Sequence, residues 1–158
     1  MILWRLGSTT RAYLPDDLSG AGAASYPGRW NDSGQRVVYA ASTLAMAVLE
    51  TAAHVDDSAL PMNRYVVEIT VPDDCWEESR VKYESASLPI GWDAIPSGQI
   101  ALDIGSRWYV SAKHMFLEVP SVIVQEEYVV VINAAMPAIQ RLSARAVRRY
   151  EYNSLFRR

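Results

Sequence analysis

The chain contains one cysteine, Cys75, in 158 residues, so no disulfide can form within it. That cysteine and the two histidines, His54 and His114, show none of the spacings of a metal site. No apolar run is long enough to cross a bilayer, and the apolar part of "MILWRLGSTTR" is too short for a signal peptide, so a cytoplasmic protein is expected. Positive charge is not in excess either. The 15 Lys and Arg against 18 Asp and Glu leave a net charge of -3, which gives the molecule no overall pull towards nucleic acid or an anionic membrane. What remains is 50% apolar and 21% charged, the make-up of one ordinary globular domain over residues 1–158 with enough chain to bury a core.

Charge is unevenly spread. Residues 141–158 hold Arg141, Arg145, Arg148, Arg149, Arg157 and Arg158 against the single acid Glu151, a local charge of +5. Such a tail reads either as a contact for nucleic acid or an acidic partner, or as a solvated strand edge with a ragged terminus.

Along the chain, "ILWRL" (2–6) predicts a short strand, followed by a long loop from Gly7 to about Arg36. "RVVYAA" (36–41) predicts a strand; Ser42 then stands at an N-cap position and "TLAMAVLETAAHV" (43–55) predicts a helix. "RYVVEITV" (64–71) is a strand closed by Pro72. Residues 73–96 carry turn residues without a sustained period and read as loop with one helical turn. A helix is expected within 97–113, with Ile100, Ile104, Trp108 and Val110 or Ser111 on one face, weakened by Gly105. "MFLEVP", "SVIV", "EYVVVIN" and "ARAVRRYEY" predict further strands. Many strands and few helices, without regular strand–helix alternation, indicate an α+β fold of mixed or antiparallel sheets.

Glu50 stands out in the helix of 43–55. At 100° per residue Leu44, Ala45, Val48, Leu49 and Ala52 share one face, and Glu50 lies opposite among Met46, Ala47, Ala53 and His54. A helix apolar nearly all round is covered on more than one side, which turns Glu50 towards a cleft; the alternative is a rim glutamate on an alanine-rich surface helix. Burying a carboxylate costs several kcal/mol unless a cation, hydrogen bonds or a raised pKa compensate.

Candidate partners precede it. Arg29, set between Gly28 and Trp30 in "GRWN", can offer a fixed fork to phosphate or carboxylate, or be an exposed loop arginine. Tyr39 is a strand tyrosine that is either a core aromatic or a ring facing a ligand. Arg5, between Trp4 and Leu6, is a phosphate-binding candidate or a sheet-edge arginine. "SGAGAAS" (19–25) imitates a dinucleotide loop, but no buried strand precedes it and Pro27 prevents a helix after it. His54 and His114 have no nucleophile motif nearby and read as structural or surface residues.

The order Arg29, Tyr39, Glu50 and then Ser121 in "VPSVIVQEEYVVVIN" resembles the RES-domain family, whose members are toxins of RES–Xre toxin–antitoxin modules. The likeness spans nearly the whole chain, through "WRL" (4–6), the specific block at 28–50, "VPS" (119–121), "IN" (132–133) and "YEYNSLF" (150–156). The chain departs from the family pattern at "EEYVVV", where an asparagine is usual, and at "NAAMP", where Asn-Pro followed by histidine is usual.

The resemblance implies a fold similar to ADP-ribosyltransferases and NAD+ as substrate, cleaved at its nicotinamide–ribose bond by water or phosphate, or with ADP-ribose passed to a protein. It assigns Glu50 to the developing oxocarbenium ion, Tyr39 to the nicotinamide ring, and Arg29 with Arg5 to the pyrophosphate or ribose. Ser121 would orient Glu50 or the ribose, and Asn133 would act behind them; no metal is required, because nicotinamide is already a good leaving group. An Xre-type helix-turn-helix antitoxin is the implied partner, in a complex or with a homodimer, without direct DNA binding by this chain. A competing reading of another class is a non-catalytic domain docking an acidic partner or nucleic acid through its basic tail.

Overall fold

The computed structural model describes residues 1–53 and 63–152. His54 and Val55 of the expected helix, and Arg157 and Arg158 of the basic tail, lie outside the described residues. In chain order the first elements are β1 (Ile2–Ser8), α1 (Ala21–Ser25), β2 (Val37–Ala41), α2 (Leu44–Ala52) and β3 (Arg64–Thr70). After these come α3 (Asp73–Glu78), β4 (Arg80–Lys82), α4 (Gln99–Ser111), β5 (Phe116–Pro120), β6 (Tyr128–Asn133) and β7 (Ser143–Tyr150). Single 3-10 turns occur at Ser85–Ser87 and Pro137–Arg141. The strands make one sheet in the order β4-β5-β6-β2-β1-β3-β7, with β4 parallel to β5 and the other neighbours antiparallel, an α+β fold.

Strand alternation divides the core between the two faces of this sheet. Leu3, Val38, Ala40, Val67, Ile69, Val130, Ile132 and Phe116 face one side, where Cys75 and Trp76 of α3 cover them. Val37, Val131, Leu117 and Val119 face the other, under Trp30, Trp92 and the inner stripe of α4. Trp76 lies 5.2 Å from the Phe116 ring, and the Arg80 guanidinium sits 4.9 Å from the Trp76 centroid. These contacts explain why residues 73–82, read from sequence as loop with one turn, carry a helix and an edge strand. Pro72 opens α3, Asp73 and Asp74 favour its positive end, and Trp76 gives it something to bury.

Four further expectations change. Thr43, not Ser42, caps α2, its Oγ1 accepting the Met46 N–H at 3.1 Å. The segment 121–124 is not a strand, because the Ile123 and Val124 N–H groups both turn back onto Ser121 Oγ, at 3.0 and 3.2 Å. Residues 21–25 of the glycine-rich stretch form a short helix inside the loop expected from Gly7 to about Arg36. The buried stripe of α4 is Ala101, Ile104, Gly105 and Trp108, while Ile100 and Val110 are exposed. β7 is the outer strand, and two of its neighbourhood's arginines are ion-paired within the chain: Arg141 with Asp74 at 2.7 Å and Arg145 with Glu68 at 3.1 Å.

The sheet is irregular between β1 and β2. Each residue of β1 has a partner on β3, but β1 and β2 register at the single pair Trp4↔Ala41 and then part. Beyond that pair, Arg5, Leu6 and Ser8 of β1 face Val37–Ala40 of β2 across a cleft of about 910 Å³.

Candidate active site

The cleft is walled by the parted strands, by α2, by the loop carrying Gly28–Trp30, and by the turns at 95–97 and 120–123. Arg5, Arg29, Tyr39, Glu50 and Ser121 all line it, although they come from five separate stretches of chain. Asn133 does not. It is buried at the end of β6, where its amide donates to the Tyr109 carbonyl at 3.1 Å and its Oδ1 accepts the Ala135 N–H at 3.1 Å.

Glu50 reaches the cleft because α2 packs on the sheet through the side that carries Met46, Ala47 and Leu49, next to it on the helix. Met46 and Ala47 are its buried residues, packed against Ala41 and Trp4, whereas Ala45 is exposed. Ala47 and flexible Met46 let the helix approach the point where the strands separate, and Glu50, one turn after them, is carried to the cleft wall. Ser121 Oγ donates to Glu50 Oε1 at 2.5 Å. The same oxygen accepts the two amides of the 121–124 turn, so the serine is fixed from behind while it fixes the carboxylate.

Arg29 is half-buried, and its Nη1 donates to the carbonyls of Trp92 at 3.1 Å and Ala94 at 2.8 Å. Burial pulls its pKa below the ordinary arginine value, and the carboxylates of Glu50 and Asp93 oppose that fall. The guanidinium stays charged and is anchored at one nitrogen, which leaves its other donors for the cleft. Its neighbour Trp30 is buried and stacks on Trp92, with centroids 6.3 Å apart.

Tyr39 is held edge and tip. Its hydroxyl donates to Asn31 Oδ1 at 2.8 Å and accepts the Trp30 N–H at 3.1 Å. A Cβ at Gly28 would come within 2.7 Å of the Tyr39 ring, so glycine is required for the loop to lie on it. Burial, the largest influence, raises the phenol's pKa well above its usual value and keeps it neutral.

Asn31 was missed at the sequence level, although it belongs to "GRWN". It is fully buried; Oδ1 accepts from Gly28 N and Tyr39, and Nδ2 donates to the carbonyls of Ala23, Asp32 and Gln35. A buried asparagine with both ends occupied shapes the loop that carries Arg29. The cue available in sequence was a small amide directly after an aromatic in a glycine-bearing loop. Tyr39→Phe retains the ring but strands the Trp30 N–H and one Asn31 acceptor, so it should cost about 1–3 kcal/mol of stability. A melting temperature equal to the parent's would show that the hydroxyl does not hold the loop.

Among the described residues, no helix is long and apolar enough to cross a membrane, and no group of three or more His, Cys, Asp and Glu converges as metal ligands. The arrangement of carboxylate, serine, arginine and ring around one cleft can bind a phosphorylated, partly aromatic ligand and stabilise positive charge beside Glu50.

Comparison with known proteins places the chain among named toxins. The chain is 47% identical over 150 residues to a Prs ADP-ribosylating toxin of Sphingobium sp. (strain YBL2), covering 95% of this chain and 92% of that protein. It is 35% identical over 133 residues to a protein named Toxin Res from Photorhabdus laumondii, covering 84% and 81% of the two chains. A further Toxin Res, from Yersinia enterocolitica, is 31% identical over 140 residues, covering 89% and 88%. The RES domain profile matches residues 2–153, which includes every element of the sheet and every residue of the cleft, and the chain belongs to the RES domain family.

Proposed function

We propose that this chain is a toxin that consumes NAD+ by breaking its nicotinamide–ribose bond, using one domain that spans residues 1–158. The observation that carries the reading is the hydrogen bond from Ser121 to Glu50 on the wall of a cleft that Arg29 and Tyr39 also line. Family membership and the toxin names of the relatives support it.

The chemistry follows from what bond cleavage demands. As the N-glycosidic bond lengthens, its electron pair moves to the pyridinium nitrogen and nicotinamide leaves neutral, while positive charge grows on the ribose. Glu50, oriented by Ser121, faces that charge and stabilises it more than it stabilises the intact substrate. The oxygen of water or phosphate then bonds to the anomeric carbon, and any proton it loses passes to the Glu50 carboxylate or to solvent. The Tyr39 ring packs on the nicotinamide face, and Arg29 and Arg5 hold the diphosphate.

Purified protein with NAD+ should release nicotinamide, and induced expression should lower cellular NAD+ and arrest growth. Absence of both would remove the reading. An Xre-type helix-turn-helix protein is the proposed antitoxin, and its co-expression should restore growth.

The acceptor is water or phosphate in this reading. A second reading, transfer of ADP-ribose to a protein, is favoured by the name of the relative at 47% identity. Labelled NAD+ separates them: free ADP-ribose or its phosphate in the first case, label retained on protein in the second.

A further inference from the structure

Arg64 opens β3 opposite Ser8, the last residue of β1. Its Nη1 donates to Ser8 Oγ at 2.6 Å, and its Nε is buried without a hydrogen-bond partner. Arg64 and Ser8 both line the cleft, at the end of β1 that lies beyond its single pairing with β2. Arg5 lines it too, three residues before Ser8 on the same strand.

The two arginines are close enough to act on one another. Burial is the main influence lowering the Arg5 pKa, Asp17 and Tyr13 oppose it, and the charge of Arg64 adds to the fall. Among the described residues neither arginine makes an ion pair. The nearby carboxylate of Asp17 already accepts the Ser19 hydroxyl, at 2.5 Å. Arg5, Arg29 and Arg64 line the cleft against the carboxylates of Asp17 and Glu50, which leaves net positive charge facing it. Guanidinium forks match groups that present several acceptor oxygens at once.

We propose that Arg64, strutted by Ser8, joins Arg5 to form a diphosphate-binding subsite where β1 and β2 have parted. Arg64 is the new member of the binding site, and the ligand class is a nucleoside diphosphate. The placement rests on the NAD+ reading above, in which the substrate's diphosphate lies here while its nicotinamide ribose lies against Glu50. Ser8 is a positioning residue, acting through the hydrogen bond that aims the guanidinium.

Titration calorimetry on the whole chain tests this without turnover, using ADP and inorganic pyrophosphate, with adenosine as the uncharged control. Arg64→Met keeps the stem and removes the fork, and should weaken ADP and pyrophosphate about tenfold or more while leaving adenosine unchanged. Arg64→Lys should fall between, because it keeps the charge but not the fork, and Ser8→Ala should lose less than Arg64→Met. ADP affinity within about twofold of the parent, in an Arg64→Met protein with the parent's melting temperature, overturns the subsite. Should that variant not fold, unchanged ADP affinity in Arg64→Lys overturns it instead. Pyrophosphate binding that depends on Arg64, in a chain that neither releases nicotinamide nor lowers cellular NAD+ and arrests growth, would keep the subsite and remove the NAD+ reading. Nicotinamide release whose KM for NAD+ is unmoved by Arg64→Met would do the reverse.

Discussion

Glu50→Gln is expected to lower nicotinamide release about 10²–10⁴-fold with little change in melting temperature. The substitution is nearly isosteric, and the Ser121 hydroxyl can still donate to the amide oxygen that replaces Oε1, so the contact at 2.5 Å survives. What disappears is the negative charge beside the ribose. Because that charge acts mainly on the transition state, kcat should fall and KM for NAD+ should stay close to the parent's. Ser121→Ala gives a graded counterpart. It removes the donor that aims Glu50 and also the acceptor for the Ile123 and Val124 amides, so the 121–124 turn loosens together with the carboxylate. A loss of about 10–100-fold is expected, the size of one hydrogen bond to a charged group. Full turnover by a folded Glu50→Gln protein would take the carboxylate out of the mechanism. Turnover equal to the parent's in Ser121→Ala would separate the serine from it.

The parts of this architecture that could be read from sequence are those set by local pattern. β3 and β6 announce themselves through "RYVVEITV" and "EYVVVIN", since buried strands need runs of β-branched residues. Tyr39 and Glu50 could be singled out because each is polar in an apolar setting, and Arg29 because it stands between a glycine and a tryptophan in a long loop. Their convergence with Ser121 could not be read locally, because Glu50 and Ser121 are 71 positions apart and meet only through sheet order. The packing of α2 is legible only in part for a related reason. Its residues are apolar almost all round, which turns Glu50 towards a cleft, but periodicity does not say that Met46, Ala47 and Leu49 are the ones that meet Ala41 and Trp4. Arg64 carries the same sequence signal as Arg5, a cation in an apolar strand. Asn31 gave little, since a buried asparagine and an exposed loop asparagine look alike until their partners are known.

Gly105 is the position where the sequence argument and the packing pull in opposite directions, and Gly105→Ala decides between them. In an isolated helix the change should stabilise α4 by about 1 kcal/mol, through helix propensity alone. In the folded protein a Cβ there would lie 1.7 Å from the Trp30 carbonyl oxygen and 2.5 Å from its carbon. Those are backbone atoms of the loop that bears Arg29 and Asn31, so no side-chain rotation relieves the clash. Overpacking of this kind costs about 3 kcal/mol, at the upper end of its usual range, and outweighs the propensity gain by about 2 kcal/mol. For a chain of this size the melting temperature should fall by about 4–8 °C. The loop cannot retreat without disturbing the Trp30–Trp92 stack, the Trp30 N–H bond to Tyr39 and the carbonyls that anchor Arg29. KM for NAD+ should therefore rise along with the loss of stability, although Gly105 is absent from the cleft lining. A melting temperature at or above the parent's would mean that α4 and the loop are not in the close contact on which the placing of Arg29 depends.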